Sequence, residues 1–99
     1  MNNYLAAFNK AFESRVRLGI MSILLVNDAV DFSRLKEQLQ LTDGNMSSHL
    51  AALEKAQYIT ITKRFVGKKP NTTYKVTDEG KKAFNLHLDA LEKLIQIKN

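Results

Sequence analysis

The apolar residues in the first half of the chain recur every three or four positions, which is the spacing of amphipathic helices. Aromatic side chains at every fourth position predict a first helix over residues 3–12, and a similar periodicity predicts a second over residues 14–26. After a short extended link, Ser33 is placed to cap a third helix that ends at Gln40. The pattern therefore predicts three consecutive helices in the first forty residues.

The next ten residues predict a tight turn followed by a helix whose first turns are polar. Thr42 is a suitable N-cap for this helix. Leu41 and Met46 have the spacing of a hydrophobic staple, which would fix the angle between this helix and the preceding one. An apolar stripe at helical spacing should face the core, and it consists of Met46, Leu50 and Leu53. The opposite, outward face carries Asn45, Ser48, Ala52 and Lys55.

The second half of the chain changes to a period of two, which is typical of β-strands. Apolar and polar residues alternate over residues 59–62 and 72–77, and Gly67 and Pro70 bracket a turn between them. Thr77 is then placed to cap a last helix over residues 78–97. The predicted fold class is therefore α+β, mainly helical with a small β-hairpin.

The last predicted helix is apolar over about half of its circumference, which is more than packing on a single core requires. Its apolar residues form two adjacent stripes, one of Phe84, Leu88, Leu91 and Ile95 and one of Ala83, Ala90, Leu94 and Ile97. The additional apolar surface predicts that this helix has a second contact. We expect both the first helix and a symmetric partner chain to pack against it. The candidate dimer-interface residues are Tyr4, Phe8, Phe12, Phe84, Leu88, Leu91, Leu94 and Ile95.

The length of 99 residues predicts one domain over residues 1–99, with a core at about 14–77 and terminal helices left for dimerisation. The absence of cysteine excludes disulfides and thiolate metal sites. His49 and His87 are isolated from each other, so we expect no metal and no cofactor. The sequence has neither a membrane span nor a secretion signal, which predicts a cytoplasmic protein.

The positive charge of the chain is concentrated in one segment. Residues 63–82 contain seven basic and two acidic residues, a surplus of five that equals the net charge of +5 for the whole chain. A localised cationic patch indicates a polyanionic partner, although a pI near 9.6 is also typical of ribosome-associated and membrane-surface proteins. Four cations lie within seven residues, more than a solvated hairpin needs, and we expect phosphate contacts at Lys63, Arg64, Lys68 and Lys69.

The order of helix, short turn, helix and two-stranded ribbon resembles the small winged-helix transcriptional regulators related to the MarR and ArsR groups. The resemblance covers roughly residues 14–92 and is carried by FSRLK at 32–36, LTDGN at 41–45, SHL at 48–50, LEKA at 53–56 and GKKPNTTYKVTDEG at 67–80. It implies a winged helix-turn-helix with N- and C-terminal dimerisation helices. It also implies a homodimer that binds double-stranded DNA, with residues 42–56 as a recognition helix in the major groove. The basic wing, residues 63–75, would lie along the backbone or in the minor groove.

The resemblance also implies which side chains meet DNA. The candidate residues of the recognition helix are Asn45, Ser47, Ser48, His49 and Lys55, and those of the wing are Lys63, Arg64, Lys68, Lys69, Asn71 and Thr72. Asparagine can pair bidentately with adenine, and short side chains let a helix sit deep in a groove. Serine and asparagine near a helix start also serve as N-caps, which spacing alone does not distinguish from DNA contact.

The sequence departs from the family immediately after the recognition helix, where a glycine usually allows a left-handed turn. Gln57 occupies that position. A left-handed conformation at a residue with a side chain costs on the order of 1 kcal/mol, which a folded domain tolerates.

Three other function classes compete with duplex binding. Enzymatic activity has the least support, because the sequence shows no paired-carboxylate site, no nucleophile with a plausible base and no glycine-rich phosphate loop. RNA binding is disfavoured because the hairpin has no exposed aromatic pair suited to base stacking. The main alternative is a winged helix that acts as a protein-protein interaction module. The sequence identifies neither the operator nor the regulated genes, and it does not show whether a small-molecule effector exists.

Overall fold

The computed structural model describes residues 3–97, which form four α-helices and one small antiparallel sheet. The helices are α1 Arg15–Leu25, α2 Phe32–Leu39, α3 Asp43–Lys55 and α4 Asp78–Ile95. The strands are β1 Val30–Asp31, β2 Ile59–Val66 and β3 Lys69–Val76, in the order β1-β3-β2. The predicted fold class is confirmed. The ends of the predicted 1–99 domain, residues 1–2 and 98–99, lie outside the described residues.

Two of the helices, α3 and α4, begin at the predicted N-caps, and α1 begins at Ser14, where the prediction placed the start of a helix. The side-chain oxygens of Ser14, Thr42 and Thr77 each accept a hydrogen bond from the backbone N–H three residues later, at 3.4, 3.3 and 2.8 Å. Each bond satisfies one of the N–H groups that a helix start leaves without an intrahelical partner. Short-range sequence signals therefore set where α1, α3 and α4 begin.

The start of α2 differs from the prediction, which placed the N-cap at Ser33. The carboxylate of Asp31 caps this helix instead, accepting the N–H of Arg34 at 2.8 Å. Asp31 remains extended because it pairs with Thr73 of β3, in a two-residue strand that the sequence pattern did not predict. The extended backbone ends at Asp31, and the helix begins one residue later.

The predicted helix over residues 3–12 is wrong. The chain forms two short 3₁₀ turns, Tyr4–Ala7 and Lys10–Phe12, and it is extended between them. Asn9 causes the interruption, because its side chain caps the second turn by accepting the N–H of Ala11 at 2.9 Å. Its backbone N–H donates to Nδ1 of His87 at 3.0 Å, and its side-chain amide donates to the Tyr58 hydroxyl at 2.9 Å. These contacts hold the N-terminal segment, residues 3–12, against α4 in a non-helical path.

The core lies between α1, the inner faces of α2 and α3, the sheet and the first half of α4. Its fully buried side chains include the predicted stripe of α3, Met46, Leu50 and Leu53. Phe12 and Phe84 are also buried there, with their rings edge-to-face at 5.1 Å. Both were predicted at the dimer interface, and this is a correction, because side chains with at most 1% of their surface accessible in one protomer cannot form a contact with another.

The turn after α3 adopts the left-handed conformation at the predicted residue. Gln57 has φ 68°, and the N–H groups of Gln57 and Tyr58 bond to the carbonyls of Glu54 and Leu53 at 2.9 and 3.0 Å. This is the Schellman arrangement, in which glycine is usual. The hydroxyl of Thr77 also donates to the Gln57 carbonyl at 2.8 Å, which ties the turn to the start of α4 and helps to offset the cost of about 1 kcal/mol.

Gly80 permits the closest contact between this turn and α4. A Cβ at this position would lie 2.1 Å from the carbonyl oxygen of Tyr58, so part of the backbone would have to move. We expect Gly80→Ala to lower the free energy of unfolding by about 3 kcal/mol, as overpacking of a rigid site does. Gly44→Ala is the matched control, because a Cβ there meets nothing within 4 Å and a helix gains up to about 1 kcal/mol from the change. Denaturant unfolding at one protein concentration measures both, and equal stability of the two variants would contradict this packing.

The molecule is elongated, with extents of 59, 25 and 21 Å. Its radius of gyration is 15.2 Å, compared with about 13 Å for a compact domain of about 100 residues. All residues from 62 to 70 are exposed, so the tip of the hairpin extends beyond the core. Within residues 3–97, no helix combines the length and the apolar character that crossing a membrane requires.

Candidate nucleic-acid interface

The exposed face of α3 is polar and is held by the buried face behind it. Asn45, Ser47, Ser48 and Lys55 are exposed, whereas the apolar stripe of the same helix is buried. The division follows from the helical spacing and agrees with the prediction except at Ala52, which was predicted on the outward face and is half-buried. Asn45 uses its backbone N–H for the Thr42 cap, which leaves its side-chain amide exposed to solvent.

The turn between α2 and α3 is short and well connected. Gln40 ends α2 in the left-handed region with φ 53°, and the N–H of Leu41 bonds to the carbonyl of Lys36 at 3.3 Å. Leu41 packs against the core cluster that contains Met46, its partner in the predicted staple. The ammonium of Lys36 lies 2.7 Å from the carboxylate of Asp43, which links the two helices at the surface. The packing of Leu41 therefore holds the turn, and the exposed ion pair adds at most about 1 kcal/mol.

His49 differs from its neighbours because it is half-buried and bonded within the protein. Its Nδ1 accepts a hydrogen bond from Nε of Arg17 at 3.0 Å. A neutral ring that accepts at Nδ1 carries its proton on Nε2 and can donate there. Burial and, to a smaller extent, the positive charge of Arg17 lower the pKa of His49 from the usual 6.5. The sequence analysis missed Arg17, since it lies 32 positions before His49 and no local spacing connects them.

The wing is a hairpin with a two-residue turn. Val66 pairs with Lys69, which leaves Gly67 and Lys68 as the turn, and Gly67 has φ 67°. A two-residue hairpin turn needs positive φ, which glycine adopts without steric cost. The turn is thus tighter than predicted, and Pro70 lies inside β3 rather than in the turn.

The strand register divides the candidate wing residues between two faces. Lys63 is paired with Thr72, and Arg64 with Asn71, so the two pairs point to opposite sides of the hairpin. Lys63, Arg64, Lys68 and Lys69 are exposed, whereas Asn71 and Thr72 are half-buried. Within residues 3–97 the ion pairs found are Lys36–Asp43 and Asp89–Lys93, so no wing cation is neutralised by the protein.

The other histidine has a structural role. His87 is buried on α4, accepts the N–H of Asn9, and packs edge-to-face on Phe8 at 5.2 Å and on Phe12 at 5.6 Å. These contacts are all with the N-terminal segment, which the ring of His87 holds in place. The described part of the chain contains no group of three His, Asp or Glu side chains that could hold a metal ion.

The pKa of His49 gives a test of the Arg17 contact. Because the folded-state pKa is lowered, the stability that neutral His49 contributes is fully present above the unfolded value of 6.5 and is lost as the pH falls through the folded value. We expect Arg17→Ala to raise the pKa of His49 part of the way towards 6.5, since burial remains. Arg15→Ala, at an exposed neighbouring arginine, should leave it unchanged. NMR titration of the His49 ring measures both, and an unchanged pKa in Arg17→Ala would contradict the contact.

Comparisons with known proteins agree with this geometry. A family model described as a winged helix DNA-binding domain matches residues 16–95. An uncharacterized protein of Methanocaldococcus jannaschii is 35% identical over 79 residues, which are 80% of this chain and 86% of that protein.

Solved structures show the same relationship. The transcriptional regulator homologue protein of Pyrococcus horikoshii OT3 superimposes with a TM-score of 0.80 at 33% identity, covering 86% of this chain and 84% of its own. HlyU of Vibrio cholerae gives a TM-score of 0.63 at 25% identity, covering 92% of this chain and 90% of its own. The resemblance to small winged-helix regulators is confirmed, and the chain belongs to the winged helix DNA-binding domain family.

Proposed function

We propose that this protein is a homodimeric transcriptional regulator that binds double-stranded DNA at specific sequences. The observation that carries the proposal is the pairing of an exposed polar helix face on α3 with a wing whose four cations have no acidic partner among the described residues. α3 packs against β2, the strand whose outer end carries Lys63 and Arg64. The P. horikoshii structure is described as a transcriptional regulator homologue, which supports the same function here. We also propose that the protein is located in the cytoplasm.

In the proposed complex, α3 lies in the major groove. Asn45, Ser47 and Ser48 are short enough to approach base edges, and the amide of Asn45 offers a donor and an acceptor to adenine. His49 faces the same groove with Nε2–H as a donor, because Arg17 occupies its other nitrogen. Lys55, at the far end of the helix, contacts a phosphate.

The wing supplies contacts that do not depend on sequence. The four exposed cations lie on both faces and at the tip of a hairpin, which suits a groove lined by phosphates on two sides. If each subunit neutralises about four phosphates, the dimer neutralises about eight, and counterion release provides much of the affinity.

The dimer forms through α4. The N-terminal segment packs on one flank of this helix, and the other flank leaves an apolar stripe exposed, Leu88 by 39%, Leu91 by 42% and Ile95 by 75%. Such a stripe on a small regulator matches a symmetric helix pair, and Tyr4, Phe8 and Leu94 extend the proposed interface on the first flank. The two recognition helices would then lie about 34 Å apart, one turn of B-DNA, and favour a pseudo-palindromic site.

Selection of bound sequences from a random duplex pool tests this function. We expect a pseudo-palindromic motif for the wild-type protein, and a relaxed preference at particular positions for Asn45→Ala and Ser48→Ala. Asn85→Ala, an equivalent change at an exposed position of α4, is the matched control and should select the wild-type motif. If the wild-type protein enriches no sequence and retains no duplex, the proposal fails and a protein-protein interaction module replaces it.

A further inference from the structure

The tip of the wing exposes two large apolar side chains that the function described so far does not use. Phe65 is 73% exposed and Val66 is 61% exposed, immediately before the two-residue turn. Burying a phenylalanine side chain contributes about 1.5–3 kcal/mol to stability. An exposed phenylalanine does not gain this free energy, so it does not stabilise the hairpin. An apolar side chain exposed among cations is a candidate for contact with a partner, and the strand register distinguishes Phe65 from Val66.

The strand register shows that Phe65 and Val66 lie on opposite faces. Phe65 is paired with Pro70, and a shift of two positions along the ladder gives the pair Lys63–Thr72 on the same face. The next pairs on this face, each two positions further along the ladder, are Ile61–Tyr74 and Ile59–Val76, and both pack in the core. The core-facing side of the hairpin therefore continues past the core to an apolar tip made of Phe65 and Pro70. Val66 shares the opposite face with Lys69.

Pro70 limits what can bind at this tip. The Phe65–Pro70 pair is adjacent to the hydrogen-bonded pair that closes the turn, so the backbone nitrogen of Pro70 points away from β2. Because proline has no N–H, the outer edge of β3 offers no donor to an added strand at this position. Pairing of another β-strand with β3 at the tip is therefore disfavoured, and a partner on that side contacts the side chains.

The charges around the tip define the chemistry of that partner. Arg64, Lys68 and Lys69 are exposed within four positions of Phe65, so the partner must present anions beside an apolar surface. The minor groove of duplex DNA has this composition, with deoxyribose and base edges between two rows of phosphates. Apolar side chains, including phenylalanine and proline, act there as wedges between base steps.

We propose that Phe65, supported by Pro70, is an apolar wedge that enters the minor groove and contacts a base step beside the phosphates held by the wing. The inference rests on the proposed function. It assigns this wing a role in specificity, because partial unstacking costs less at flexible pyrimidine–purine steps. The protein should therefore prefer such a step in the flank of its site, where α3 makes no contact.

The test compares Phe65→Ser, Phe65→Leu and the control Val66→Ser on the duplex selected by the wild-type protein. A fluorescent adenine analogue placed at the flanking step reports unstacking, and the affinity is measured in the same titration. We expect wild-type protein and Val66→Ser to unstack the probe. Phe65→Ser should lose the signal and bind about tenfold more weakly with an unchanged salt dependence, and Phe65→Leu should fall between them.

Three results would overturn the wedge. Phe65→Ser and Val66→Ser could match in affinity and probe signal, which refutes the wedge while leaving duplex binding in place. Phe65→Ser could instead lose binding only to vesicles of anionic phospholipid, which assigns the tip to a membrane surface. If the wild-type protein binds no duplex at all, the proposed function and the wedge fail together. Phe65 is exposed, and thermal unfolding of each variant confirms that it is folded.

Discussion

Replacing Lys68 and Lys69 together with alanine should weaken duplex binding by roughly a thousandfold at about 0.15 M salt. The double change removes about four phosphate contacts from a dimer, and each contact contributes about 0.9 to the slope of log affinity against log salt. The double change therefore reduces the slope by about 3.6. Because the contribution of the phosphate contacts vanishes near about 1 M salt, this reduction gives a roughly thousandfold loss of affinity at about 0.15 M. The loss should be similar for all sequences, because phosphate contacts carry no base information. Fluorescence anisotropy with specific and random duplexes measures it.

The matched control is Lys81→Ala with Lys82→Ala. These residues belong to the same basic segment and are exposed, but they lie on α4 outside the wing. The control has the same net charge as the wing variant, so it separates direct phosphate contact from the general field of the protein. We expect it to lose less than about tenfold in affinity. Equal losses in both double variants would remove the wing from the interface and favour the protein-protein interaction module.

The second large effect is expected from Leu91→Asp. Leu91 lies in the exposed stripe of α4, and a two-fold axis would bring two new carboxylates into one apolar contact. An unpaired buried charge costs several kcal/mol, which is enough to dissociate a small dimer at micromolar concentration. Sedimentation should then give the mass of a monomer. Binding to a two-half-site duplex should fall to that of a single half-site, because the second half-site is no longer held nearby.

Val26→Asp is the control for this change, since Val26 is the C-cap of α1 and is 79% exposed. It adds the same charge to an apolar surface position outside α4 and should leave the mass unchanged. Leu88→Asp should repeat the result of Leu91→Asp. A dimer mass retained in both α4 variants would place the interface elsewhere.

The parts of the fold that sequence predicted are those that depend on neighbouring residues. The caps at Thr42 and Thr77 and the buried stripe of α3 rest on spacings of a few positions, whereas the left-handed turn at Gln57 was implied by the family resemblance. Local hydrogen bonds and helical periodicity determine these features, so one sequence is sufficient to place them.

The features that were missed depend on contacts between distant positions. The N-terminal segment is not helical because Asn9 bonds to Tyr58 and His87, which are 49 and 78 positions away. Asp31 caps α2 because it pairs with Thr73. In the candidate site, the exposed residues of α3 and the wing followed from pattern, whereas the Arg17–His49 bond did not. The aromatic periodicity of residues 3–12 satisfied a helical pattern, and the tertiary bonds of Asn9 overrode it.

In the proposed complex, α3 and the wing together bind duplex DNA through about eight phosphates per dimer. The salt dependence of wild-type affinity for the selected duplex, from about 50 to about 200 mM, tests it most directly. We expect log affinity to fall against log salt with a slope near −7, an approximately ten-thousandfold loss over that range. A slope between zero and about −2 would contradict the claim, because fewer than about three phosphates would then be contacted.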